Sequence, residues 1–503
     1  MLASVALVTA GCGSNLPPSQ LVADEFGGGT TRGVDGGPSG QASADGQSSS
    51  TGPGGGASSS GRVGGSAGAG GSGSGGSGGP GARGGRPPAG PGSHGVTDTT
   101  IEVGLWTFNS EALNATTNAV TGQAPSDAGD PTKGAQAVVA AVNARGGVAG
   151  RSVVPRLHLV DIASLTTRSG REREAQRACA AWTEDRHVFA MMQLPFGQGL
   201  DCAVSTNTVY LGDMVHSGAG FLTESTFRKA RNVWYGPNQP LAERRDRGLV
   251  ESLAHQGYFP PGARVAVFVE DAAGSKESYQ KALRPALAAK GVTPVLTIEY
   301  PEYFNSPWDN YILQLQEKQV THAIWSSSNG GHYPAVLAMR AAENQQYQVQ
   351  WALSSDQWPG YLIGYGAPAP QLATTRGMGW LPTVDIQRGD ATTNNWGGSS
   401  NSALCKGIVR DSGQPTAYIY CEALFFLKAA LDQSAEVSPA GMSAALAALG
   451  TGYPSVHTVG GASVHAPDRH DGPSVYRNLG YDSGCGQSGH PCFRYTGEAR
   501  PLP

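Results

Sequence analysis

Short apolar runs alternate with helix-period segments from Thr100 to Ser354, and that alternation leaves few architectures open to the chain. Thr100–Leu105 reads as a strand. Pro131–Arg145 reads as a helix with Ala135, Val138, Val139 and Val142 on one face. Pro131 suits its first turn and Gly146-Gly147 its carboxyl cap. The strand Val153–Val160 ending at Asp161 follows, then a helix through Ala175–Trp182 and the strands Val188–Met192 and Val209–Leu211. A second series begins near Pro240: helix Leu241–Gln256, strand Arg264–Val269, helix Ser275–Lys290, strand Val292–Ile298, helix Trp308–Lys318, strand His322–Trp325, helix Tyr333–Asn344 and strand Val349–Ser354. Parallel neighbours need a crossover, usually helical, so this order implies an α/β fold with parallel sheets covered by helices on both faces. Two such series predict two Rossmann-like lobes with a cleft between them.

The amino-terminal part is of another kind. Leu2–Ala10 is a short apolar run that leads into Ala10-Gly11-Cys12. Small residues before a cysteine resemble the processing site of a bacterial lipoprotein, so 1–11 is expected to be a signal segment and Cys12 the lipidated residue. From 12 to 95 Gly, Ser, Ala and Pro dominate, and no Phe, Trp or Tyr stands between Phe26 and Trp106. Such a composition cannot offset the entropy of ordering, so a disordered, lipid-anchored linker is expected, with a span of ~45 Å. Gly64-Gly65-Ser66-Ala67-Gly68 matches a hydrolase elbow pattern, but no strand precedes it and no helix follows. No later stretch has the roughly 18 apolar residues of a membrane helix.

Beyond the linker roughly 400 residues remain, which suits two lobes better than one core. A formal net charge of −4 with 15% charged residues leaves no basic footprint for nucleic acid. The six cysteines after Cys12 stand at 179, 202, 405, 421, 485 and 492, an even number that favours disulfides in an exported chain. Fifteen pairings exist for six cysteines, and the sequential one is the simplest: Cys179 to Cys202, Cys405 to Cys421, Cys485 to Cys492. No C-x-x-C occurs, so zinc is not expected. His465, Asp468 and His470 read as surface loop residues rather than metal ligands. Glu270 and Asp271 are adjacent on an extended run, so their side chains diverge and cannot act as a catalytic pair.

Gly95-Val96-Thr97-Asp98-Thr99-Thr100-Ile101 with Val103-Gly104, Gly134-Ala135, the run Asn143-Ala144-Arg145-Gly146-Gly147-Val148-Ala149-Gly150-Arg151, and Asp161 together resemble the opening of branched-chain-amino-acid-type solute-binding proteins. Cys179 with Cys202, Ala288-Ala289-Lys290-Gly291-Val292 and Arg469-His470-Asp471-Gly472 are similar to later family segments, and the resemblance covers about residues 96–482. It implies a type I periplasmic binding protein: two lobes joined by a hinge, closing on a small polar solute such as an amino acid and presenting it to an ABC permease. It implies no cofactor, metal or catalytic residue. It further implies a monomer, lipid-anchored to the outer face of the cell membrane. Lobe 1 would take 96–237 and about 355–455, lobe 2 would take 238–354 and about 456–503.

In open α/β sheets ligands bind beyond the carboxyl ends of the strands. The candidate contacts are therefore Trp106, Thr107, Phe196, Gly197, Gln198, His216 and Ser217 in the first lobe, and Asp271, Ser328, Asn329, Asp356 and Trp358 in the second. By the resemblance, hydroxyl, amide or backbone groups of lobe 1 hold a carboxylate and an acid of lobe 2, Asp356, holds an ammonium. Gln198 stands near where the family offers Ser, and the loop Asn109–Asp130 is long, so an altered pocket is expected. Two other readings share parts of this pattern: a sensor lipoprotein that signals to a membrane partner, and an anchored hydrolase.

Overall fold

The computed structural model describes residues 86–121, 129–194, 199–212, 222–301, 306–326, 332–381, 398–458, 460, 463–485 and 490–503. Cys12, the signal segment, the Gly64–Gly68 match and the linker up to residue 85 lie outside the described residues. Residues 86–95, expected to belong to the linker, are instead held on the fold. The carbonyl of Pro88 accepts from Val437 at 2.8 Å, Gly90 donates to the Val437 carbonyl at 3.1 Å, and Arg151 donates to the Pro87 carbonyl at 2.9 Å.

The strands are β1 Thr100–Phe108, β2 Ser152–Val160, β3 Ala190–Met192, β4 Val209–Leu211, β5 Trp234–Tyr235, β6 Val265–Glu270, β7 Leu296–Tyr300, β8 His322–Trp325, β9 Gln350–Ser354, β10 Arg376–Gly379, β11 Val475–Cys485 and β12 His490–Pro501. They form two sheets. The first is five-stranded, in the order β2-β1-β3-β4-β5 with every pair parallel. The second is seven-stranded, in the order β12-β11-β10-β9-β8-β6-β7. It is parallel from β10 to β7, and the hairpin of β11 and β12 joins antiparallel at one edge. Continuous apolar runs become strands covered on both faces, and all six residues of β6 are buried.

The glycine-rich run between the helix Pro131–Ala144 and β2 has a steric cause. Asn143 clamps the helix Pro131–Ala144 to β2, accepting from Val153 N at 2.7 Å and donating to Val153 O at 3.0 Å. The chain must reverse within these few residues, and a Cβ on Gly147, at φ +68°, would lie 1.8 Å from the Arg151 carbonyl. Asp432 accepts from Ala149 N at 2.7 Å, and Lys428 donates to the Gly147 carbonyl at 2.7 Å. A helix nearly three hundred residues later thus fixes the turn.

Helix Tyr418–Leu431, buried along most of its length, packs with Pro131–Ala144 in the hydrophobic core around the first sheet. The segment after β9 remains with the second sheet, since Leu362, Tyr365 and Leu372 enter its core and β10 pairs with β9. The return to the first sheet therefore follows Leu381 rather than lying near residue 355. Within the expected loop Asn109–Asp130 the structure forms a helix, Ser110–Thr121. The three disulfides join Cys179 to Cys202, Cys405 to Cys421 and Cys485 to Cys492, with Cα separations of 6.0, 6.0 and 5.8 Å. Among the described residues no helix is long and apolar enough to cross a membrane.

Candidate functional site

All strands of a parallel sheet end on the same edge, so the loops beyond them gather there. Contacts between the two halves show which edges meet. Thr223 and Ser225 on the first half donate to the Glu277 carboxylate of the second at 3.0 and 2.8 Å. Arg247 pairs with Glu224 at 3.0 Å. The ring of Tyr418 packs against the first sheet's core and also against the cluster that holds Trp358 and Trp380. The carboxyl edges of the sheets therefore approach one another across a seam.

Two crossovers run side by side along this seam. Gly236 and Asp471 form a parallel bridge, Gly236 N donates to the His470 carbonyl at 2.9 Å, and Gly472 N donates to the Gly236 carbonyl at 2.8 Å. A Cβ on Gly472 would lie 1.7 Å from Ser463 Oγ and 2.2 Å from the Pro237 carbonyl, so the two backbones touch with no room for a side chain. Arg244 pairs with Asp471 and also donates to the Pro473 and Leu502 carbonyls at 3.0 and 3.1 Å. The Arg469–Gly472 run thus ties the two crossovers together. His470 within it and His465 just before it are buried, which corrects their reading as surface residues. His470 stacks on Tyr235 at 4.7 Å, with Nδ1 2.7 Å from the Trp234 carbonyl. Among the described residues no group of three or more His, Cys, Asp or Glu is placed to hold a metal ion.

The expected contact residues fall into different settings. Trp106 and Thr107 lie inside β1, which runs three residues further than the apolar run suggested, and both are buried. The Trp106 carbonyl accepts from Tyr420 Oη at 3.1 Å. Its indole Nε1 is buried and has no hydrogen-bond partner among the described residues. Asp271 is exposed beyond β6 and paired with Lys276 at 2.5 Å. That hydrogen bond holds its carboxyl below the usual range. Phe196, Gly197, Gln198, His216, Ser217, Ser328 and Asn329 lie outside the described residues.

Asp356 and Trp358 are brought together by the turn that ends β9. Ser354 and Gln357 form a capping box there, and Trp358 is driven to φ +52°, a conformation costly for a bulky side chain. Asp356 is fully buried, 3.6 Å from Arg245, which also pairs with Asp246 at 2.7 Å. Ser278 and Ser326 donate to Asp246 at 2.6 and 3.3 Å, and Gln357 donates to Asp356 at 3.0 Å. One guanidinium thus serves two fully buried carboxylates. Burial pushes the Asp356 carboxyl up to about 7, Arg245 opposes that shift, and Asp246 adds to it.

Sequence reasoning passed over an aromatic group on the same edge. His332 precedes the helix Tyr333–Asn344, and Tyr361 and Tyr365 lie four residues apart in the turn after Trp358. Their rings are nearly parallel: His332 to Tyr365 at 4.7 Å and 6°, His332 to Tyr361 at 5.3 Å and 18°, Tyr361 to Tyr365 at 5.8 Å and 20°. Trp358 is 5.3 Å from Tyr361. Burial lowers the His332 imidazole to about 3, and its Nε2 has no hydrogen-bond partner among the described residues. The four-residue spacing of Tyr361 and Tyr365 after Pro359 was the available signal.

No protein-family model and no curated protein matches the sequence. Solved structures match the fold. A solute-binding protein of an ABC transporter from Rhodopseudomonas palustris BisB5, in complex with 3,4-dihydroxybenzoic acid, is 11% identical, with a TM-score of 0.55 over 80% of this chain and 98% of its own. A branched-chain amino acid ABC transporter protein from Thermus thermophilus with bound valine is 12% identical, with a TM-score of 0.56 over 80% and 97%. A fatty acid ABC transporter substrate-binding protein from Thermomonospora curvata is 13% identical, with a TM-score of 0.55 over 82% and 95%. With one parallel and one largely parallel sheet whose carboxyl edges meet across paired crossovers, the chain has the fold of these ABC transporter substrate-binding proteins, the type I periplasmic binding protein fold.

Proposed function

We propose that the protein captures a small solute between its two lobes and delivers it to the permease of an ABC importer. The meeting of the two carboxyl edges across paired crossovers carries this reading, since hinge closure around a ligand is the motion such a layout permits. On this reading lobe 1 is the first sheet with the helices between Ser400 and Leu449, and lobe 2 is the second sheet with its edge hairpin. The solved structures of this fold include proteins with bound 3,4-dihydroxybenzoic acid and with bound valine, and one named for fatty acid transport. The lobes act by binding alone, with no covalent step.

The reading extends to location. Cys12 carries the lipid, and the linker keeps a monomeric receptor outside the cell and near its permease, raising the local concentration there. Phe196, Gly197, Gln198, His216, Ser217, Ser328 and Asn329 belong to the proposed contact set. Native mass spectrometry of residues 86–503 with a metabolite mixture should retain a small molecule, and X-ray scattering should register compaction when it binds. Turnover of the retained molecule, or no retention and no compaction, would sink the proposal. Mass analysis of the mature amino terminus tests the anchor.

A further inference from the structure

The solute class can be argued from the second lobe's edge. Trp358, Tyr361, His332 and Tyr365 present a connected set of rings at the carboxyl ends of β8 and β9. Tyr418 brings lobe 1 against the cluster that contains Trp358. Near-parallel rings 4.7 to 5.8 Å apart favour a further flat ring over a branched aliphatic chain. Each lobe also keeps a nitrogen in an energetically poor state. His332 is 9% exposed and Trp106 3% exposed, and neither His332 Nε2 nor Trp106 Nε1 has a hydrogen-bond partner among the described residues. An unsatisfied buried polar group is costly, and a ligand oxygen is one way to satisfy it.

The acids at this edge already have protein partners. Asp356 shares Arg245 with Asp246, Asp271 is held by Lys276, and Glu277 accepts from Thr223, Ser225 and Lys281. A solute ammonium would have to compete with one of these protein partners. Resting on the solute-binding reading above, we propose that the site takes a planar aromatic solute that bears an oxygen acceptor and no ammonium group, stacked beside Tyr361 and hydrogen-bonded by His332.

The test is calorimetry on the folded part, residues 86–503, with benzoate, 4-hydroxybenzoate, leucine, valine and palmitate as probes. An aromatic acid should bind while leucine and valine do not. His332→Phe keeps the flat ring and removes the nitrogen. It should weaken the aromatic acid about tenfold without lowering the melting temperature. Tyr361→Leu, the second variant, should weaken it about three- to tenfold. Binding of leucine, valine or palmitate with no aromatic acid bound overturns the aromatic assignment and leaves the solute-binding reading standing. Aromatic binding indifferent to both substitutions overturns the site. If no probe binds, and scattering shows no compaction with the metabolite mixture either, the parent reading falls as well.

Discussion

Replacing Asp356 with Asn should stabilise the protein above neutral pH and leave it unchanged or slightly weaker in acid. In the folded chain this carboxyl is raised from 3.8 to about 7, chiefly by burial. At about 1.36 kcal/mol per pH unit, holding it ionised inside the fold costs ~4 kcal/mol. The sign follows from proton counts. Between about pH 4 and pH 7 the native state keeps a proton that the unfolded chain has released, so stability falls as pH rises through that window and levels off above it. Asp356→Asn removes the second carboxylate and leaves Arg245 and Asp246 as a one-to-one pair at 2.7 Å. The new amide can still accept from Gln357, but its NH2 then faces Arg245, a loss of about 1–2 kcal/mol. The net gain is ~2–3 kcal/mol near pH 8, shrinking to nothing near pH 4.5. Urea unfolding of both proteins at about pH 4.5, 6 and 8 measures it. A difference between variant and wild type that stays constant across that range would refute the account of one guanidinium shared by two buried carboxylates.

Gly472→Ala should destabilise by about 2–4 kcal/mol, because its Cβ must push apart the two crossover backbones that Gly236 and Gly472 tie together. Ser463→Gly should fail to rescue it, since the Pro237 carbonyl still stands 2.2 Å from that Cβ; denaturant titration of single and double variants checks both points. Removing the Cys405 to Cys421 bridge with paired alanines should cost about 2–4 kcal/mol, read as a lower unfolding midpoint that no longer responds to reductant at this site.

Much of the fold was legible because its signals are local. The strands His322–Trp325 and Val209–Leu211 and the helix Tyr333–Asn344 coincide with their expected spans, and continuous apolar runs marked strands buried on both faces. The hairpin of β11 and β12 escaped notice because Asn478, Gly480 and Gly484 interrupt the alternation that would announce a strand. It owes its place to pairing with β10, a neighbour about a hundred residues away in sequence. The His332, Tyr361 and Tyr365 group escaped for a related reason. Each ring reads alone as a packing aromatic, and their nearly parallel approach exists only after two helices meet on one sheet edge.

The alternation of strand-like and helix-period segments, with the glycines that turn tightly before β2, was sufficient by itself to point to an α/β chain of two series. Which strands share a sheet, and which loops face one another, was decided by tertiary structure. The residues after β9 stay with the second sheet because Leu362, Tyr365 and Leu372 find apolar cover there, and no local pattern encodes that choice. The same holds for Asp356. Its position after a strand suggested a ligand-holding acid, whereas its charge depends on Arg245 and Asp246, more than a hundred residues earlier. Secondary structure follows from short-range sterics and periodicity, but ionisation and stacking depend on what long-range burial places within a few ångströms, and only the folded chain specifies that.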